Sequence, residues 1–239
     1  MRFLRWEPSH GLRKFVGEIA IVSLGVLLAL GLEQWINSFN AHQDAAKARL
    51  AVRYEIGINL GSLSKRFQTG ECINKRLLEI KEFIEAASNT NVEKSPLWFG
   101  RPQVWIMDSA RWQAASNTGR ANLFSLEEQT NFSDIYGSFN SVHESQQAEQ
   151  MFWAQLRSLE GQHQISETTA SSMRLILSQA VHTNWRIGIS YAQARERALE
   201  MGIPIVVDPV YRGSKSVCIP ITTPRETAIK LTGSRYGEP

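Results

Sequence analysis

The sequence predicts an all-α protein: an N-terminal transmembrane helix continuing into a long helix, which packs in an extracytoplasmic helical bundle closed by a short extended or β-hairpin tail. Three observations predict it. Phe15 to Leu32, FVGEIAIVSLGVLLALGL, is an apolar run of roughly 27 Å as a helix, and with Trp35 and Ile36 it matches a hydrocarbon slab of ~30 Å. Beyond it, apolar residues at three-four spacing continue to about Ala87 with no proline. Two further long helical patterns follow, joined by a short turn at Gly161. The chain thus divides into residues 1–14 (cytoplasmic), 15–36 (transmembrane), 37–202 (extracytoplasmic bundle) and 203–239 (extended tail).

Orientation follows from charge. Arg2, Arg5, Arg13 and Lys14 precede the span against Glu7 alone, whereas Glu33 and Asp44 come before Lys47 on the far side. Positive flanks stay in the cytoplasm, so the N-terminus is expected inside and the remainder outside, which in a Gram-negative cell is the periplasm. Trp6 and Trp35 have the amphipathic rings that suit the two headgroup zones. A cleaved signal peptide would share the basic start, but this run exceeds the usual apolar length of one and continues into strong helix formers. Within the span, Glu18 is the only ionisable side chain, one turn after Lys14, and Gly17, Gly25 and Ala29 form a small-residue stripe that permits close helix approach. These four mark the expected membrane interaction face.

The rod carries Ile56, Leu60, Leu63 and Phe67, then Ile73, Leu77, Ile80 and Ile84, on one stripe, with Thr69-Gly70-Glu71 as its expected break. Gly57 and Gly61 stand four apart, a packing contact for another helix. Ser88–Pro96 is a turn, and Leu97–Met107 is aromatic and irregular. Asp108 or Ser109 caps a short helix through Ala115 carrying Trp112 inward. Ser125 and Glu128 form a capping box opening a helix to about Leu159, and its antiparallel partner runs from about Ile165 to Met201. In the tail, β-branched Ile203–Val207 and Val217–Thr222 flank Asp208-Pro209 and Arg212-Gly213-Ser214, which reads as a hairpin or a strap.

Composition narrows function. A net charge of +3, partly from the N-terminal bases, supplies no clustered basic face for nucleic acid. Cys72 and Cys218 are the only cysteines. They are either a disulfide, stabilising by about 4 to 5 kcal/mol through loop entropy, or two buried thiols. His163 with Glu167 is the one histidine-carboxylate pair at helical spacing, too few ligands for zinc. Ser62 and Lys65 fit S-x-x-K, and Lys230-Leu231-Thr232-Gly233 loosely imitates a K-T-G element, but the third element of serine acyl-enzymes is missing. Ser190 lies in an incomplete nucleophile elbow inside a predicted helix. No catalytic residue, metal or cofactor is assigned. Of the seven tryptophans, Trp112, Trp153 and Trp185 are candidates for an aromatic pocket, with core packing as the alternative.

Gly17-Glu18-Ile19, Gly25-Val26-Leu27-Leu28-Ala29-Leu30 and Trp35 together resemble the anchor of a family of uncharacterised bacterial single-pass inner-membrane proteins, and Trp112-Gln113-Ala114-Ala115, Gly119 and Tyr136 are similar to a later segment of it. The resemblance implies an envelope location and a helical extracytoplasmic domain. It implies no activity. The expected function is a structural or protein-interaction module whose partners are the lipid bilayer and another envelope protein or a second copy. A small-molecule sensor acting through a partner is the second reading, and a periplasmic serine hydrolase the third.

Overall fold

A computed structural model describes residues 9–207 and 215–232. Six α-helices order the chain: α1 Ser9–Phe67, α2 Gly70–Asn89, α3 Ala110–Asn117, α4 Leu126–Leu156, α5 Glu167–Glu200 and α6 Arg225–Thr232. Short 3-10 turns occupy Arg120–Leu123, Arg157–Leu159 and Ser216–Cys218, and no strand occurs among the described residues.

α1 is one uninterrupted helix of 59 residues. Its most apolar 18-residue window has a mean hydropathy of 2.3 and is 0% buried, so α1 is long and apolar enough to cross a membrane. Every residue from Phe15 to Gln43 is exposed, and burial begins at Ala45. The same helix then turns Val52, Ile56, Leu60 and Leu63 into the core, each 0% exposed. It ends at Phe67 because Thr69 turns back on Arg66: its backbone N–H and its hydroxyl both donate to the Arg66 carbonyl, at 3.0 and 2.8 Å. α2 restarts at Gly70, so the predicted break falls where the helix-weakening residues are.

α4 opens with the complete capping box, Ser125 accepting from the Glu128 N–H at 3.1 Å and Glu128 accepting from the Ser125 N–H at 3.2 Å. α4 and α5 lie antiparallel: Asn131 and Asp134 meet Arg197, and Ser141 meets Ser190. Their connection is longer than the turn at Gly161 suggested, because Arg157–Leu159 tightens into a 3-10 turn and Ser166 caps α5.

The apolar interior falls into two clusters. The first joins α1 to α4 and the second half of α5, through Leu60, Leu63, Phe132, Ile135, Phe139, Val142, Ile187 and Ala194. The second joins α2 to the end of α4 and the start of α5, through Ile73, Ile80, Ile84, Trp153, Leu156, Leu177 and Ala180. A small third group, Trp98, Ile219 and Ala228, seats α6.

The tail departs from the hairpin expectation. Residues 203–207 carry no regular secondary structure and lie along α1, with the Val206 N–H donating to the Gly57 carbonyl at 3.0 Å. Their companion does not become a strand: Ser216–Cys218 is a 3-10 turn, and Pro224 leads into α6, a run of helix formers that buries Ala228. Asp208–Ser214 lies outside the described residues. Residues 203–207 also explain Gly57 and Gly61. What approaches them is non-helical backbone: a Cβ on Gly57 would sit 2.5 Å from the Pro204 carbonyl oxygen, and one on Gly61 would overlap the Val206 carbonyl.

Candidate functional site

The four residues expected on the anchor's interaction face stand apart from the folded body. Gly17, Glu18, Gly25 and Ala29 are all exposed on α1, and a Cβ at Gly17 or Gly25 would meet nothing within 4 Å. Among the described residues nothing packs over that face. Trp35 is likewise exposed and stacks on Phe39 at 6.2 Å.

Cys72 and Cys218 are joined by a disulfide, their Cα atoms 4.9 Å apart. Arg76 reinforces that junction. Its guanidinium is 3% exposed and donates to the carbonyls of Trp98 (2.8 Å), Phe99 and Ile219, while its Nε donates to Glu79 at 2.7 Å. The Trp98 indole donates to the Ser216 carbonyl at 2.9 Å. One buried cation therefore gathers two distant chain segments beside the cross-link.

The three candidate pocket tryptophans do not converge. Trp112 is half-buried in the first cluster, parallel to Tyr136 at 5.6 Å; Trp153 is 1% exposed in the second; Trp185 is 59% exposed on the outer side of α5. Helical spacing alone cannot distinguish these environments, and a shared cage is corrected to two core residues and one surface residue. The chemical candidates are also dispersed. His163 Nδ1 lies 2.9 Å from the Val92 carbonyl, and Glu167 pairs with Arg174 at 2.7 Å. Among the described residues, no group of three metal-ligating side chains occurs. Ser62 and Lys65 lie within α1, Lys230 belongs to α6 on the Ser216–Cys218 turn, and the Ser190 hydroxyl donates to Ser141 at 3.1 Å in mid-helix.

Two buried polar constellations emerge instead, and both lie on stripes that otherwise carry apolar residues. In the first, Glu55 on α1, 2% exposed, caps α3 from outside: it accepts from the backbone N–H of Arg111 at 2.9 Å and of Trp112 at 3.3 Å, and from the Tyr136 hydroxyl. This explains why Ser109 makes no side-chain cap. Asn59, one turn on, bonds both ways with the Asp108 backbone, at 2.7 and 3.0 Å. Burial, with Glu55 second, pushes the Tyr136 hydroxyl far above its ordinary value.

The second constellation separates the two apolar clusters. Along α4 the sequence of buried residues is Val142, Ser145, Gln146, Glu149, Trp153; along α1 and α2 it is Leu63, Lys65, Arg66, Ile73; along α5 it is Ala180, Thr183, Ile187. Glu149 is 0% and Arg66 3% exposed, and they pair at 2.7 Å. Arg66 Nη2 also donates to Asn184 Oδ1 at 3.0 Å, and Asn184 donates onward to Asn74 Oδ1 at 3.1 Å. Gln146 accepts from the Trp105 N–H and donates to its carbonyl, at 2.7 and 3.0 Å. Arg66 Nη1 and Glu149 Oε2 find no hydrogen-bond partner among the described residues. Burial raises the Glu149 carboxyl, opposed by Arg66.

Above this layer a groove of about 230 Å³ opens at the α1–α2 break, lined by Arg66, Phe67, Gly70, Asn74, Trp185 and Gly188 among others. There the buried polar chain of Arg66 and Asn184 reaches the exposed apolar residues Phe67, Trp185 and Ile189. A polar residue interrupting an amphipathic stripe, as Glu149 and Arg66 do, is the sequence signal that points to it. Comparison with family models, with curated proteins and with solved structures finds no match.

Proposed function

We propose that this chain is a membrane-anchored protein of a bacterial envelope, acting as a structural or protein-interaction module. Its N-terminus lies in the cytoplasm, residues 15–36 cross the inner membrane, and the helical bundle stands in the periplasm. The observation that carries this reading is the continuity of α1, which runs without a break from an entirely exposed apolar segment into the core of the folded body. About nine residues, or ~14 Å of helix, separate Ile36 from the first buried residue, so the body is held close to the membrane on a stiff stem. The basic residues at positions 2, 5, 13 and 14 support the orientation. A disulfide closing most of the body supports an oxidising compartment. The small-residue stripe of Gly17, Gly25 and Ala29 gives the anchor a face for a second helix.

Topology is tested by fusing alkaline phosphatase or green fluorescent protein to the C-terminus: phosphatase activity without fluorescence is the expected result, and the converse refutes the orientation. The interaction role is tested by cross-linking in intact membranes, followed by mass spectrometry. A stoichiometric protein partner, or a specific homodimer lost on Gly25→Leu, is expected. A monomer with no cross-linked neighbour at native abundance refutes it.

A further inference from the structure

The groove at the α1–α2 break has the composition of a ligand site, and its geometry owes nothing to the membrane topology. Gly188 is the first clue. It lies in the middle of α5, where glycine weakens a helix, yet its φ is not positive. The nearest atom to an added Cβ would be Phe67 Cε1 at 4.0 Å, an ordinary contact. Neither backbone conformation nor close packing therefore requires glycine there. Gly188 lines the groove, and its missing side chain leaves that space unfilled.

The walls are aromatic and held. Phe67 is 41% exposed, with its ring stacked on Tyr191 at 4.4 Å; Trp185 is 59% exposed, with its ring against His182 at 5.6 Å. Arg66 also lines the groove, 3% exposed, and its buried Nη1 finds no acceptor among the described residues. Glu149 balances that charge through one oxygen, and its own carboxyl is pushed toward the neutral form by burial. The positive end of α2 borders the same space, since Gly70 opens that helix and no side chain caps it. From Arg66 the hydrogen-bond chain runs through Asn184 to Asn74 Oδ1, leaving the exposed Asn74 amide N–H group as a free donor at the mouth.

We propose that this groove binds a small monocarboxylate bearing a flat apolar group, with the carboxylate at Asn74 and the α2 N-terminus and the apolar group between Trp185 and Phe67. A volume of about 230 Å³ suits a fragment of that size and falls below the ~300–1,000 Å³ typical of drug-sized sites. The carboxylate belongs to a free acid or to the C-terminal residue of a peptide, two sources with one recognition chemistry.

The test is isothermal titration calorimetry of the full-length protein in detergent with phenylacetate, its neutral amide phenylacetamide, and N-acetylphenylalanine. Saturable 1:1 binding of phenylacetate is expected, with the amide at least tenfold weaker. Gly188→Leu, which fills that space with a better helix former, should remove binding. Asn74→Asp, a surface change that sets a like charge at the mouth, should weaken it at least tenfold while leaving the circular dichroism spectrum unchanged. Tighter binding of N-acetylphenylalanine than of phenylacetate supports the site with a chain terminus as its source; the reverse order supports it with a free acid. Equal affinity for acid and amide, binding that survives Gly188→Leu, or no heat with any of the three probes overturns the proposal. A failed topology assay would leave this result untouched.

Discussion

Removing the disulfide should cost a large part of the stability of the folded body. Cys72 and Cys218 are separated by 146 residues. In the chain-entropy picture, cross-linking a loop of that length removes about 5 kcal/mol of freedom from the unfolded chain, against a typical total of ~5–15 kcal/mol. The folded state supplies little to offset the loss. Even so, it should survive, because Arg76 still gathers Trp98, Phe99 and Ile219, and the Trp98 indole still holds Ser216. The double variant Cys72→Ser/Cys218→Ser should therefore fold at 25 °C and unfold at a distinctly lower urea concentration. Tryptophan fluorescence of the detergent-solubilised protein, oxidised and after dithiothreitol, would report both midpoints, with a thiol titration showing none free before reduction and two after. The cysteines line a groove of about 370 Å³ with Lys75 and Arg76, so a soluble reductant can reach them. Coincident midpoints for the oxidised and reduced forms would refute the entropy argument.

Gly61→Ala should destabilise by about 1–3 kcal/mol because its methyl would overlap the Val206 carbonyl and force residues 203–207 away, whereas Gly188→Ala should stabilise by up to ~1 kcal/mol; chemical denaturation measures both. Tyr136 is raised by burial first and by Glu55 second, so it stays protonated in the folded state. The stability it contributes is complete below the ordinary tyrosine value of about 10 and is lost as pH rises beyond it, where only the unfolded chain ionises. Wild type should consequently lose stability above about pH 10 more steeply than Tyr136→Phe. Glu149 is also raised, by burial against the pull of Arg66. Its contribution is complete below the ordinary value of 4.5 and is lost as pH rises through its folded value, so wild type should decline with pH relative to Glu149→Gln. A relative rise would mean that Arg66 outweighs burial.

Local signals were legible because they need only a few neighbouring residues. Ser125 and Glu128 specify their own helix start, the hydroxyl of Thr69 and the glycine after it specify the break in the rod, and FVGEIAIVSLGVLLALGL is recognisable from hydropathy alone. Long-range partners were not. Trp153 and Trp185 both sit on helices, and only the packing of α4 against α2 and α5 decides that one is 1% and the other 59% exposed. The glycine pair at 57 and 61 announced a close approach without saying that non-helical backbone would make it. The helix at Arg225–Thr232 was obscured by the β-branched residues before it, whose conformation is set by the disulfide and Arg76 rather than by propensity. Glu55, Arg66, Gln146 and Glu149 stood in plain view as polar residues on apolar stripes, and their roles required knowing what lay opposite.

That polar layer also fixes the register of the body. Sliding α4 by one turn against α1 would part Glu149 from Arg66, and breaking such a buried pair typically costs ~3–5 kcal/mol. An apolar layer at the same height would have tolerated the slide far better, since Leu, Ile and Phe side chains exchange partners with little directional penalty. The layer stands where α1 ends, so the helix that rises from the exposed apolar segment delivers its last buried turn onto a level of the core held by charge and hydrogen bonds, farther along α1 than the Glu55–Tyr136 contact. Beyond that level α2 is held by a different device, the covalent bond from Cys72 and the carbonyls gathered by Arg76. Movement of α1 relative to α2 is consequently resisted on one side by the Arg66–Glu149–Asn184 contacts and on the other by the cross-linked tail, and the groove lined by Gly188 lies between the two.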